Sequence, residues 1–129
     1  MPTDRFDVIV RNAQIFDGSG RPPFAADLAL RGDRIAAIGP VDAPAATEID
    51  ATGLALAPGF IDVHSHDDLA VILSPEMDFK VMQGVTTDVV GNCGLGVVPY
   101  EPAVASFRAF HPRGDVPRWD SYTGYMEVV

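Results

Sequence analysis

Leu54-Ala55-Leu56-Ala57-Pro58-Gly59-Phe60-Ile61-Asp62-Val63-His64-Ser65-His66-Asp67-Asp68 carries the fold. The nearly continuous apolar run from Leu54 to Val63, broken by Pro58-Gly59, predicts a strand buried on both faces, as in a parallel sheet or barrel. The run ends abruptly in two histidines and two aspartates. Beyond it, Ser74-Pro75-Glu76 predicts a helix start, because proline suits the first helical position and glutamate suits the positive end of the helix dipole. Met77, Val81 and Met82 supply an apolar stripe that Gly84 terminates. Val85-Thr86-Thr87-Asp88-Val89-Val90 is rich in β-branched residues and predicts a second strand, which leads into Gly91-Asn92-Cys93-Gly94. Strand, helix and strand within about forty residues make a βαβ unit, with chemistry-bearing side chains after each strand.

Upstream the pattern differs. Phe6, Val8 and Val10 alternate, Ile15 follows, and Asp17-Gly18-Ser19-Gly20 closes a strand with a turn. Residues 26–30 and 34–38 flank Gly32-Asp33, a dipeptide suited to a tight hairpin because glycine accepts positive φ without strain. Gly39-Pro40 ends that hairpin, and Thr47-Glu48-Ile49-Asp50 predicts another short strand before Ala51-Thr52-Gly53 turns the chain. Residues 1–53 therefore read as a small all-β module and residues 54–129 as the start of an α/β barrel.

Downstream, Pro102 to Phe110 predicts a short helix, His111 to Pro117 a loop with a solvated His111, and Trp119-Asp120-Ser121 the start of a helical stretch reaching Val129. Trp119, Tyr122 and Tyr125 have near-helical spacing, which points to core packing. A complete (β/α)8 barrel takes about 250 residues, whereas roughly eighty remain after the β module. The chain is thus expected to be a truncated front portion of a larger protein.

Gross composition narrows the partners. With 47% hydrophobic and 21% charged residues, the 129-residue chain belongs to a globular class. A formal net charge of −9 opposes the attraction that nucleic acid or an anionic membrane would need. Neither is an expected partner. The N-terminus lacks the basic start and apolar block of a secretory signal, so the cytoplasm is the expected compartment. Arg31-Gly32-Asp33 and Arg113-Gly114-Asp115 sit in turn-forming contexts, and turn chemistry accounts for them.

His64 and His66 lie two apart at a predicted strand end, which sends both side chains to one face with Cα atoms about 6.6 Å apart. Two neutral imidazoles so placed suit a zinc ion, which would lower the pKa of a coordinated water to about 7. Cys93 is the chain's single cysteine, so it makes no intrachain disulfide. It follows the next strand, between glycines that let the backbone approach a metal closely. A thiolate there is a soft anionic zinc ligand. A lone cysteine is otherwise among the most buried residue types; the two histidines on the neighbouring strand favour the ligand reading. Asp67 and Asp68 either orient an imidazole or touch substrate, or else hold a loop or cap a helix.

Taken together these motifs resemble a known family. Asp7-Val8-Ile9-Val10-Arg11-Asn12 with Asp17-Gly18, then Asp33-Arg34-Ile35, then Ala57-Pro58-Gly59-Phe60-Ile61-Asp62-Val63-His64-Ser65-His66 look like the opening of amidohydrolase superfamily enzymes. Gly84-Val85-Thr86-Thr87 followed by Gly91-Asn92-Cys93-Gly94 is similar to the D-aminoacylase group, the N-acyl-D-amino-acid deacylases. The resemblance runs from about residue 6 to residue 100. It implies a β-sandwich-like domain built from both chain ends and a metal-bearing (β/α)8 barrel. It also implies that His64, His66 and Cys93 bind zinc, with the cysteine standing where other amidohydrolases use a carboxylated lysine. Two further histidines and a catalytic aspartate are implied beyond Val129, in the remainder of the same barrel, so the chain alone is expected to be inactive. The implied substrate is a small-molecule N-acyl-D-amino acid. Two rival readings are a cyclic-amide hydrolase of the dihydropyrimidinase or dihydroorotase type, against which Cys93 argues, and a non-catalytic truncated packing module.

Overall fold

The computed structural model describes residues 5–110 and 112–129, so the expectation for His111 falls outside the described residues. The chain divides into two compact units, residues 1–58 and 59–129.

The first unit is a five-stranded sheet. Strands β1 (Phe6–Ile15), β2 (Phe24–Arg31), β3 (Arg34–Gly39) and β4 (Ala45–Asp50) lie in the order β3-β2-β1-β4, and β5 (Ala55–Leu56) also pairs with β1. The β2–β3 pair is the predicted hairpin: Arg31 faces Arg34 across a two-residue turn in which Gly32 has φ 58°. Side-chain alternation along β1 is not uniform. Between Val10 and Ala13 the strand carries one residue more than β2 opposite it, and Asn12 in this bulge takes φ 60°. An extra residue reverses which face each later side chain meets, so Val10 packs with buried Ala13 and Ile15 while Ile9 is also fully buried. Strict alternation of Phe6, Val8 and Val10 therefore misses the best-buried residues of the strand. Arg11 fastens the bulge by reaching Asp27 and Glu48, each at 3.0 Å.

The second unit begins with β6 (Phe60–Asp62), which pairs in parallel with β7 (Val85–Asp88). Between them lie α1 (Ala70–Leu73) and α2 (Asp78–Val81), each only four residues long. The expected helix from Ser74-Pro75-Glu76 starts later, because Met77 sits in the left-handed region at φ 46° and only Asp78 begins the α2 turn. After β7 come α3 (Tyr100–Phe107) and α4 (Tyr122–Met126), the latter capped by the Ser121 hydroxyl, which accepts the Gly124 amide. Helix α3 covers most of the predicted 102–110 stretch. Leu69, Val97, Ala103, Phe107, Trp119 and Tyr125 form the core of this unit. Its polar ends are satisfied: Trp119 Nε1 donates to the Val97 carbonyl at 2.6 Å, and the Tyr125 hydroxyl to the Asp68 carbonyl at 2.8 Å. Tyr122, by contrast, is exposed.

The run from Leu54 to Val63 is not one buried strand. Pro58-Gly59 splits it between two sheets, and Phe60, Ile61 and Val63 are each more than 60% exposed. The physical reason is that β6 hydrogen-bonds to β7 alone among the described residues. Gly59 is required by that pairing, since a Cβ there would lie 2.1 Å from Thr86 Oγ1. The expected mixed α/β class stands. No helix among the described residues is long and apolar enough to cross a membrane.

Candidate metal centre

Strand β6 ends at Asp62, so His64 and His66 lie in the bend beyond it rather than on the strand itself. The bend is shaped by hydrogen bonds. Asp62 Oδ1 accepts the His64 amide at 3.1 Å, and the Val89 amide donates to the Asp62 carbonyl at 2.8 Å. Ser65, between the two histidines, is buried and its amide donates to the Val89 carbonyl at 3.3 Å. Both imidazoles thereby turn to one side, with ring centroids 5.6 Å apart and the planes nearly perpendicular. The His66 ring also stacks on Phe110 at 5.5 Å.

Cys93 stands in the 3₁₀ turn Asn92–Gly94 that follows β7, with φ 57° and ψ 25°. A left-handed conformation is unusual for a residue with a Cβ, and the flanking Gly91 and Gly94 are left-handed as well. Asn92 ties this turn to the histidine bend: its Nδ2 donates to the Val89 carbonyl at 2.7 Å and to the Ser65 carbonyl at 3.4 Å. The result brings His64 Nε2 to 2.9 Å from Cys93 Sγ.

One ligand atom from each of His64, His66 and Cys93 lies within 4.8 Å of the others. Tetrahedral zinc at ordinary bond lengths places nitrogen and sulfur ligands roughly 3.4–3.8 Å apart. The observed spacings bracket that range, so small side-chain rotations suffice. His66 Nδ1 is buried and has no hydrogen-bond partner among the described residues, as befits a donor set that is completed by something else. His64 and Cys93 are exposed, which leaves the cluster open on one side.

Asp67 and Asp68 diverge despite being adjacent. Asp68 is 1% exposed; its carboxyl is pushed above the usual carboxylate range by burial, against the pull of hydrogen bonds from the Gly91 and Asp68 amides. Its Oδ2 has no partner among the described residues. Asp67 turns the other way and pairs with Lys80 Nζ at 2.8 Å.

Lys80 is the residue that reading along the chain passes over. Its ammonium also meets Asp62 Oδ2 at 2.6 Å and Asp88 Oδ2 at 3.6 Å, gathering the ends of β6 and β7 and the segment after the histidines. The Asp62 hydrogen bond, then the Asp67 one, raise its pKa further above the usual lysine range. A signal was present: Lys80 is the chain's only lysine, and no arginine stands between Arg34 and Arg108.

The family model described as "Amidohydrolase family" matches residues 47–125. This chain belongs to the amidohydrolase family. Among curated amidohydrolase relatives, N-acyl-D-glutamate deacylase from Alcaligenes xylosoxydans xylosoxydans is 45% identical over 98% of this chain and 26% of its own length. D-aminoacylase from the same organism is 50% identical over 73% of this chain and 20% of its own. The crystal structure of N-acyl-D-glutamate deacylase from Bordetella bronchiseptica, complexed with zinc and a phosphonate inhibitor, superposes with a TM-score of 0.82 at 40% identity. It covers 95% of this chain, which spans 26% of that amidohydrolase. The resemblance to the D-aminoacylase group drawn from the motifs is borne out. The chain spans between a fifth and about a quarter of the length of these amidohydrolases.

Proposed function

We propose that this chain contributes the first metal ligands, His64, His66 and Cys93, to a zinc-dependent hydrolase that cleaves the amide bond of N-acyl-D-amino acids in the cytoplasm. The observation that carries the reading is the convergence of three ligand atoms within 4.8 Å from two separate turns. Two nitrogens and a thiolate are a donor set that suits zinc. Bound there, zinc would supply Lewis acidity toward an amide carbonyl and nucleophilic water at neutral pH. The chain's own residues position the ligands: Asp62 holds the His64 amide and Asn92 joins the two turns.

In this reading residues 1–53 belong to a β domain completed by a later part of the protein, and residues 54–129 open a (β/α)8 barrel. The remaining ligands and the group that carries the proton to the leaving amine come from the rest of that barrel, so the chain alone does not turn over substrate. The relatives' names, deacylases of D-glutamate derivatives and D-aminoacylase, support a small N-acyl-D-amino acid as the substrate class. The test is the release of free amino acid from N-acetyl-D-glutamate and its L-enantiomer by the full-length protein, with and without a chelator. Chelator-sensitive cleavage of the D form is expected; activity on neither enantiomer ends this reading.

A further inference from the structure

The Lys80 ammonium stands among three carboxylates, and two of them bracket the histidine bend. Asp62, two residues before His64, gives Oδ2 to Lys80 and Oδ1 to the His64 amide. Asp67, immediately after His66, gives Oδ2 to the same ammonium. The segment between these two anchors is His64-Ser65-His66 with its flanking Val63. A single cation on α2 therefore pins both ends of the segment that carries both imidazoles. Asp88, at the end of β7, has neither oxygen hydrogen-bonded among the described residues and faces only the same charge at 3.6 Å. Lys80 is 16% exposed. A half-buried charge that faces three acids offsets their mutual repulsion, and its removal leaves the acids repelling one another.

Resting on the metal reading above, we infer that Lys80 is a positioning residue of the metal centre, which sets the histidine bend through Asp62 and Asp67. It touches none of the ligand atoms. Its influence runs through the carboxylates at either end of the bend, and outer partners of this kind typically change metal affinity by roughly 10–100-fold.

The experiment is a cobalt titration of the full-length protein, read from the thiolate-to-cobalt absorption band, with far-ultraviolet circular dichroism to monitor the fold. Lys80→Met is expected to weaken cobalt binding at least about tenfold while the dichroism is unchanged, and Lys80→Arg, which keeps the charge, to stay within about threefold of the unaltered chain. If Lys80→Met does not fold, Lys80→Met with Asp88→Asn removes one of the uncompensated acids and is read in its place, with the same loss expected. Binding within threefold of the unaltered chain in whichever of these folds overturns the inference, as does failure of Lys80→Arg to restore affinity. No band in the unaltered full-length protein removes the metal reading itself, and the positioning role with it.

Discussion

His64 Nε2 and Cys93 Sγ meet at 2.9 Å although they lie 29 positions apart in the chain. Neither residue lies on a strand; each occupies the irregular turn beyond one, and Asn92 joins the turns. Replacing the sulfur is the most direct probe. Cys93→Ser keeps the shape but exchanges a soft anionic ligand for a neutral hydroxyl. Cobalt or zinc affinity should fall by more than the roughly 10–100-fold that an outer partner is worth. Isothermal titration of both chains measures it, and equal affinities would remove Cys93 from the donor set.

Gly59 predicts a steric cost. A methyl group there would overlap Thr86, whose Oγ1, Cγ2 and Cβ lie 2.1, 2.3 and 2.7 Å from the ideal Cβ position. Gly59→Ala should force β6 from β7 and cost about 1–3 kcal/mol, the usual range for overpacking. Urea denaturation gives the value. Because the three nearest atoms all belong to Thr86, Gly59→Ala with Thr86→Gly should recover part of the loss.

Phe107, fully buried in the core of the second unit, sets the scale of packing there. Phe107→Ala should cost about 3–5 kcal/mol. A loss below about 1 kcal/mol in the same denaturation assay would mean that this helix does not anchor the unit.

Acid should weaken the first unit in a defined window. Asp17 is held down to about 2, first by the Ser19 hydroxyl; Asp27 is lowered first by the Asn12 amide, and Asp50 first by the Thr52 hydroxyl. A carboxylate whose folded pKa lies below its unfolded value stabilises the fold above the unfolded value and loses that contribution as pH falls through the folded one. Stability should accordingly be level at neutral pH and decline from about pH 4 toward pH 2. Asp68, raised by burial, has the opposite sign: its contribution is fully present below the unfolded value and is lost as pH rises through the folded one. Asp68→Asn should therefore be more stable than the unaltered chain at neutral pH, and the gap should close on acidification. Thermal melts across that range would show a constant gap if Asp68 were not under strain from burial.

Much of this architecture was legible in the residues because short-range rules governed it. Gly32-Asp33 specified its hairpin, and Ser121 capped α4. His64, His66 and Cys93 stood out because the chain is poor in metal-ligating nitrogen and sulfur, with three histidines and one cysteine. What escaped depended on distance. Phe60, Ile61 and Val63 read as a doubly buried strand, since hydrophobicity reports an affinity for burial and not whether a neighbour is at hand. The bulge at Asn12 arises from its partner Asp27, fifteen residues away, whose Oδ1 accepts the Asn12 amide. Lys80 drew no expectation from its neighbours in the chain, because Asp62, Asp67 and Asp88 gather around it only in the fold.

The left-handed backbone at Cys93 sets two demands against each other. A residue with a Cβ loses about 1–2 kcal/mol in that conformation, which glycine does not. Cys93→Gly should thus relax the turn while discarding the only sulfur it presents. Directed evolution for thermal tolerance in the absence of metal would drift toward that variant, and descendants selected that way would be those that had given up their thiol.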